Sequence, residues 1–366
     1  MYQEVTEKMF TKTTKKVISL ILCVLMFVPF MTMAGAVVEV ETQELVKARG
    51  NFEQGEGPKA SGYVTQYQFY SPVRGTTNNT TKYPVVFFIG KTRNTSSTGA
   101  ELRETSFPLW STKKYQDRFY GTNGAYLVLT RPQPLEDKLG GIFGSIFENE
   151  SSVRASLKAM IEDFILKNEA NVDKSRIYIV AWDEGCKLAI RLAAEENSPV
   201  AALVIASPNY MPTSEEFTNM ANVPTWLLGC EKDTVVDYDI RAYWDGLKNG
   251  TGERIRTRFT SFESFNTKGD AHHDTWEYVA YDTNYTGTHK GAKTVNGEDK
   301  VLNVGGEDSI IAWMSKIGSD YGSDCTCPCH GTDDLLESIK WFFKWMISMM
   351  LKIEKNQECA CGKMHW

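Results

Sequence analysis

The segment "RIYIVAWDEGCKLAIRLAAE", residues 176–195, places a carboxylate at a turn between two regular elements. Its first part is a short apolar run that is typical of a buried strand, and its last part has the spacing of a helix. Ala181 and Gly185 are small, as a strained strand–turn–helix elbow requires on both sides of its apex. The apex is Asp183, where such elbows usually carry a serine nucleophile. The segment predicts a carboxylate at the functional edge of a sheet, either as a nucleophile or in place of one.

Two more titratable side chains follow predicted strands further along the chain. Asp233 comes just after the run "TWLLGC", and His273 lies in "GDAHHDTWEY", after the next apolar run. The order along the chain is nucleophile position, acid, histidine.

This order and these contexts resemble the α/β-hydrolase superfamily, in particular its secreted esterase and predicted-peptidase branch. The resemblance extends over roughly residues 62–317. It implies that Asp233 is the triad acid and that His273, rather than His272, is the catalytic histidine. His273 should then approach both Asp183 and Asp233.

The same resemblance assigns the oxyanion side of the site, where the negative oxygen of an acyl-transfer intermediate is stabilised. It implies that Gly90, followed by Lys91, lies beside the oxyanion hole and that Glu184 supplies a second donor through its backbone N–H. Three departures from the family pattern all touch this site rather than the core. They are Asp183 in place of serine, Ile89 in place of the oxyanion histidine, and His272 in place of a glycine.

A working aspartate nucleophile is one interpretation, and it resembles haloalkane dehalogenases and epoxide hydrolases. A carboxylate is ionised at neutral pH and can attack without a base, and His273 would then activate water for the second step. Carboxylate is a better leaving group than alkoxide, so an aspartate elbow suits displacement at saturated carbon rather than ester or amide cleavage. The other interpretations are a fold without chemistry, used for binding or for assembly at the cell surface, and hydrolysis by another arrangement. Cys186 is only a weak substitute nucleophile because it lies inside the predicted helix.

Composition limits the class of protein and its partners. The chain has 366 residues, of which 42% are hydrophobic, enough for one large globular domain plus appendages. Its formal net charge is -6, and no long basic run lies in the middle of the chain, so nucleic acid is not an expected partner. A small molecule or short polymer is the expected substrate if the site is active, and no cofactor is expected for the domain.

Short apolar runs alternate with helical patterns between residues 83 and 262, which predicts an α/β fold with a mostly parallel sheet and helices on both faces. One helix should carry Val153, Leu157 and Phe164 on its buried stripe, with Ser151 or Ser152 as its cap. Cys186 and Cys230 are expected in the core, and His289 in a solvated loop. The predicted strands are "YPVVFFIG", "AYLVLT", "RIYIVA", "AALVIAS", "TWLLGC" and "RTRFTSF".

The N-terminus reads as an export signal, with several lysines, the run "VISLILCVLMFVPFMTM" and the small residues "AGA" at 34–36. An uncleaved membrane anchor is the alternative. The expected organisation is a signal peptide over 1–36, a hydrolase-like domain over 37–318 beginning with a polar lead-in to residue 62, and a tail over 319–366. The expected location is secreted or at the cell surface.

The tail carries two clusters of thiols and imidazoles on either side of a predicted amphipathic helix. This ligand mix suits zinc, whereas disulfide pairing is the alternative in an exported protein. The helix carries a polar, mostly lysine stripe at three- and four-residue steps, and this suits a membrane surface, self-association or docking onto the chain's own domain. The candidate zinc ligands are Cys325, Cys327, Cys329, His330, Cys359, Cys361 and His365.

Overall fold

The computed structural model describes residues 43–73, 80–90, 105–134, 149–250, 256–266 and 271–318. The chain divides into two compact units, 1–50 and 51–366. The described part of the first unit is a short helix, α1, over residues 43–49. The predicted signal peptide, Lys91 and the tail lie outside the described residues.

Ten described strands form one mixed sheet, in the spatial order β1-β2-β4-β3-β5-β6-β7-β8-β11-β12. Six neighbouring strands run parallel, in the order β4-β3-β5-β6-β7-β8. Antiparallel pairs, β2 with β4 and β8 with β11, lie on either side of them. β9 and β10 form a separate antiparallel pair. The strands are β1 Glu53–Glu56, β2 Tyr63–Tyr70, β3 Tyr83–Ile89, β4 Tyr126–Pro134, β5 Val172–Asp183, β6 Val200–Pro208, β7 Thr225–Cys230, β8 Arg258–Phe262, β9 Ser264–Asn266, β10 Thr288–Lys290, β11 Lys293–Asn296 and β12 Val301–Leu302.

Helices cover both faces of this sheet. Side chains alternate along β5, so Ile177 and Ile179 join the apolar core beneath the helices that precede and follow this strand. Tyr178 belongs to the other face and donates a hydrogen bond to the carbonyl of Ile317, at 2.6 Å. The α-helices of this unit are α2 Lys113–Gln116, α3 Glu150–Lys167, α4 Gly185–Ala193, α5 Ser214–Asn219, α6 Ile240–Gly250, α7 Trp276–Ala280 and α8 Ile310–Ser315.

The predicted α/β class and all six predicted strands are confirmed. The apolar stretches of the six parallel strands are almost wholly buried. This burial on both faces explains why their sequences are continuous apolar runs rather than alternating patterns. One feature was not predicted, and one detail of the prediction is wrong. The polar lead-in contributes the edge strand β1, which pairs with β2. Helix α3 begins at Glu150 with Asn149 as its N-cap, so neither Ser151 nor Ser152 is the cap. Buried Glu150 forms ion pairs with Arg154 and Arg191, and these contacts stabilise the earlier helix start.

Candidate active site

The elbow forms where β5 meets α4. Asp183 is the last residue of the strand, has a φ of 51° and is 2% exposed, so a non-glycine residue is held in the left-handed region at the apex. Gly185 begins the helix, and a Cβ atom there would lie 2.2 Å from the carbonyl oxygen of Ile89. The predicted need for a small residue at Gly185 is therefore confirmed, because the helix start lies directly against the end of β3.

His273 lies between the two carboxylates that the sequence places near it. Its Nδ1 atom is 2.7 Å from Oδ2 of Asp233, and its Nε2 atom is 3.5 Å from Oδ1 of Asp183. The three side chains are at most 7% exposed. The structure thus brings Asp183, Asp233 and His273 together in the expected order, whereas their catalytic roles stay a prediction.

The two carboxylates control the charge of this imidazole. Burial alone would lower the pKa of His273, but hydrogen bonds and charge interactions with Asp183 and Asp233 outweigh it and raise the pKa to about 9. The ring is therefore an imidazolium at neutral pH. A protonated histidine cannot accept a proton, so general-base chemistry requires that one of these interactions be weakened first.

Backbone hydrogen bonds hold the acid loop against the histidine loop. Oδ1 of Asp233 accepts a bond from the N–H of Val235 at 2.9 Å, and the N–H of Thr234 donates to the carbonyl of Ala271 at 3.1 Å. The ring of Trp276 packs edge-to-face on His273, with 5.8 Å between ring centroids. The geometry of the imidazole is therefore set by its own loop as well as by its charged neighbours.

A buried hydroxyl pair beneath the histidine loop was not found from the sequence. Oγ of Ser207 and Oγ1 of Thr275 share a hydrogen bond of 2.7 Å, and the N–H of Thr275 donates to the same Ser207 oxygen at 3.1 Å. Ser207 lies near the end of β6, has a φ of 44° and is 1% exposed. Nothing in the sequence pattern distinguishes this serine from other serines that follow strands.

His272 is held by a neighbouring strand rather than by the elbow. Its Nδ1 atom accepts a hydrogen bond of 3.3 Å from the N–H of Phe265 in β9, and its φ is 55°. Glycine adopts this backbone conformation at no cost, which is consistent with glycine at this position in the family that the sequence resembles. The ring supports the backbone of β9, and His273 is the histidine placed between the two carboxylates.

The oxyanion side is only partly described. Gly90 follows β3, and a Cβ atom there would lie 2.1 Å from the ring of Trp182, which itself packs on Phe107 with 4.9 Å between centroids. Glu184 directly precedes α4, so its backbone amide lies at the N-terminus of that helix. The donor roles of Gly90, Lys91 and Glu184 stay predictions.

The cysteines of the domain are packing residues. Cys186 is fully buried, and its Sγ atom lies 3.7 Å from the carbonyl oxygen of Ala206. Burial raises the pKa of the Cys186 thiol and also that of the Cys230 thiol, so the neutral form is favoured at both positions. This confirms the expectation of buried packing and removes Cys186 as a substitute nucleophile.

The expectation for His289 is wrong. It belongs to β10, is half-buried and packs among aromatic rings instead of lying in a solvated loop. Its ring centroid is 5.7 Å from that of Phe262 and 5.9 Å from that of Tyr278. The sequence suggested a loop because "GTHKGAK" is rich in turn residues, whereas pairing with β9 places the imidazole against the aromatic side of the hairpin.

Within the described residues, no group of three or more His, Cys, Asp and Glu side chains is arranged to hold a metal ion. All seven candidate zinc ligands belong to the tail and lie outside those residues. The helices of the described ranges include none that is both long and apolar enough to cross a membrane.

The solved structures that are similar to this chain include three of low sequence identity. No family model and no curated protein matches the chain. A thermostable esterase is 18% identical, with a TM-score of 0.47 over 63% of this chain and 60% of its own. An acylaminoacyl peptidase in complex with Z-Gly-Gly-Phe-chloromethyl ketone is 14% identical, with a TM-score of 0.42 over 63% of this chain and 41% of its own. A Pyrococcus horikoshii acylaminoacyl peptidase is 13% identical, with a TM-score of 0.43 over 63% of this chain and 40% of its own.

The chain thus spans 60% of the length of the esterase and about two fifths of each peptidase. These similarities are too low to assign the class of protein, so the fold class is taken from the structure of this chain. The strand order, the antiparallel β2 beside five successive parallel pairs, and the elbow after β5 define a hydrolase-like α/β fold.

Proposed function

We propose that this chain is an exported hydrolase in which Asp183 is the nucleophile and attacks saturated carbon instead of an acyl group. The observation that carries the proposal is the position of the Asp183 carboxylate at the elbow apex, 3.5 Å from Nε2 of a histidine that is itself paired with Asp233. A nucleophile, a potential base and a group that orients the base are thus in contact.

In the first step, an Asp183 oxygen forms a bond to an alkyl carbon of the substrate, and the leaving group departs with its bonding electron pair. The product is an ester between Asp183 and the alkyl group. In the second step, His273 accepts a proton from water while the water oxygen attacks the Asp183 carbonyl carbon. Collapse of this intermediate expels the alcohol, which takes up a proton, and regenerates the carboxylate.

The same chemistry explains why carboxylic esters are poor substrates for this arrangement. Attack by Asp183 on an ester would form a tetrahedral intermediate carrying both an alkoxide and a carboxylate as possible leaving groups. The carboxylate is the weaker base and departs first, so the intermediate returns to the starting ester. Displacement at saturated carbon has no such return path because halide or another stable anion leaves.

The protonated resting state of His273 is compatible with this sequence of steps. Esterification removes the negative charge of Asp183, and this charge is one of the two that raise the pKa of His273. The pKa should therefore fall once the ester has formed, so the imidazolium releases its proton to solvent and the neutral ring can then accept a proton from the attacking water.

Trapping of the ester tests the proposal. His273→Gln keeps a polar side chain of similar length but cannot act as the base, so this variant should accumulate the alkyl ester. We expect intact-mass spectrometry after incubation with 1-bromobutane or styrene oxide to show one added alkyl group, and peptide mapping to locate it on Asp183. The matched control is Asp183→Asn,His273→Gln, which should remain unmodified. No adduct with any compound of a haloalkane and epoxide panel would contradict the proposal.

A second candidate is a binding protein on a hydrolase scaffold, and the pKa of about 9 for His273 favours it. Under this alternative the imidazolium and its two carboxylates hold the histidine loop together and no ester forms. The His273→Gln trapping experiment separates the two candidates. Export through the N-terminal segment and zinc binding by the tail are parts of the proposal that rest on the sequence alone.

A further inference from the structure

An apolar cleft lies between α3 and the end of α4, at the edge of the sheet opposite the elbow. Its volume is about 270 Å³, enough for one large aromatic side chain. Ile161, Ile177, Leu192 and Val200 form its floor. Water contacts the apolar side chains of such an open cleft unless another apolar group fills it.

The rim of the cleft is acidic. Glu162, Glu195 and Glu196 line it together with Lys158, and Arg154 also pairs with Glu195 at 2.6 Å, so three carboxylates face two cations and the rim has an excess of negative charge. Lys158 is already bound to Glu195 at 2.6 Å. Glu162 and Glu196 are exposed, so their carboxylates are accessible to a cation. The expected occupant therefore combines an aromatic side chain with ammonium groups.

The described chain ends beside this cleft. Oγ of Ser175 donates a hydrogen bond of 2.8 Å to the carbonyl of Gly318, and a Cβ atom at Gly318 would lie 3.4 Å from Cβ of Ala201. Ser175 is two residues before the floor residue Ile177, and Ala201 directly follows Val200. Two residues of strand span about 7 Å. The segment after Gly318 therefore starts at the end of β5 and β6 where the cleft lies, and the chain reaches this point from the opposite face of the sheet, where Ile317 accepts a hydrogen bond from Tyr178.

The tail contains the chemistry that the cleft requires. In the predicted tail helix, Trp341 and Trp345 are four residues apart, and Lys344 is three residues after Trp341. Residues three and four apart lie on one side of a helix, so these indoles carry an ammonium group beside them. Lys352 lies seven residues after Trp345 and continues the same side. Residues 319–333 separate Gly318 from the predicted helix, and a fully extended chain of that length spans at most about 50 Å.

We infer that the cleft between α3 and α4 is the docking site for the tail helix of the same chain, with Trp341 or Trp345 in the cleft and lysines of the stripe on Glu162 and Glu196. A short linker gives the tail an effective concentration in the millimolar range, which favours this contact over one with a second copy. The inference is independent of the chemistry at Asp183. It also competes with the tail-to-tail association and membrane-surface contact that the helix pattern allows.

Carbodiimide cross-linking of the full-length chain tests the inference, because this reagent joins a carboxylate to a contacting amine as an amide. Chains labelled with ¹⁴N and ¹⁵N are mixed in equal amounts, cross-linked and digested. We expect peptides that join Lys340, Lys344 or Lys352 to Glu162 or Glu196, with one isotope in each linked pair. Trp341→Ala,Trp345→Ala should reduce their yield at least about tenfold, by loss of the apolar contact.

The matched control is Phe343→Ala, since Phe343 lies on another side of the predicted helix, and it should leave the yield within about twofold. Mixed-isotope pairs would show that a second copy occupies the cleft and would overturn the inference. Equal yields in the tryptophan and phenylalanine variants, or lysine links only to other acidic residues, would also overturn it. Loss of the links on addition of anionic lipid vesicles, with flotation of the chain, would assign the helix to a membrane surface instead.

Discussion

Nε2 of His273 lies 3.5 Å from Oδ1 of Asp183, while Nδ1 of the same ring lies 2.7 Å from Asp233. A serine in place of Asp183 would leave His273 with one carboxylate partner, whereas here it has two. The ring is therefore charged at neutral pH. The site starts its cycle with an imidazolium between two carboxyl groups, rather than with a neutral imidazole beside a hydroxyl.

The pH dependence of folding should reveal the charge of His273. Its pKa is about 9 in the folded protein and 6.5 in an unperturbed side chain, so protonation stabilises the fold. The contribution is fully present below about pH 6.5 and is lost as the pH rises through about 9; at most it amounts to about 3 kcal/mol. Urea unfolding between pH 6 and pH 10 measures it. His273→Gln should lack this loss, and parallel pH profiles for the two proteins would refute a raised pKa.

Asp183→Ser should gain activity on short-chain aryl esters. Serine would place a hydroxyl beside His273 and remove one of the charges that hold the ring protonated, so the histidine could act as the base. We expect p-nitrophenyl acetate hydrolysis at least about tenfold above that of Asp183→Ala. The alanine variant controls for the loss of charge without a nucleophile. Equal rates in two folded variants would mean that the oxyanion donors are also missing.

Ser207 should position His273 through Thr275. Ser207→Ala removes the oxygen that bonds both the hydroxyl and the N–H of Thr275, at a cost of about 1–3 kcal/mol. It should also shift the titration of His273, followed by the NMR signals of its ring. Ser156→Ala is the matched control, because Ser156 forms a similar buried hydroxyl pair with Thr65, at 2.9 Å, elsewhere in the core. A change in stability with no change in titration would limit Ser207 to packing.

Zinc in the tail remains a prediction from the sequence. Purified full-length protein under reducing conditions should carry zinc measurable by elemental analysis, and Cys325→Ser,Cys327→Ser,Cys329→Ser should reduce the content by about half or more if each cluster holds an ion. Affinity should fall at low pH because thiolates and imidazoles must lose protons to bind metal. Tail cysteines found fully oxidised, with no metal, would support disulfides instead.

Much of the fold is readable from the sequence because its strands are buried on both faces. Ile177 to Ala181 form one continuous apolar run, and the turn after it required small residues that only an elbow explains. The approach of His273 to Asp183 and Asp233 was expected from the resemblance to α/β-hydrolases, because His273 occupies the position of the histidine in that family.

Other features depend on contacts that no local pattern encodes. The first turn of α3 is set by ion pairs of Glu150 with Arg154 and with distant Arg191, and the half-buried position of His289 depends on pairing with β9. The hydroxyl pair of Ser207 and Thr275 joins residues 68 apart. Tertiary contacts decide these cases, and they override the turn and cap preferences of the local sequence.

The central claim is that Asp183 becomes covalently bonded to substrate carbon, and oxygen labelling tests it most directly. The wild-type protein is incubated in H₂¹⁸O with substoichiometric 1-bromobutane or styrene oxide, and the peptide containing Asp183 is analysed by mass spectrometry. Hydrolysis of an Asp183 ester places the water oxygen in the carboxylate, so we predict a gain of about 2 Da in this peptide and an unlabelled oxygen in the alcohol from the first turnover. Turnover that delivers ¹⁸O directly to the alcohol and leaves Asp183 unlabelled would contradict the account.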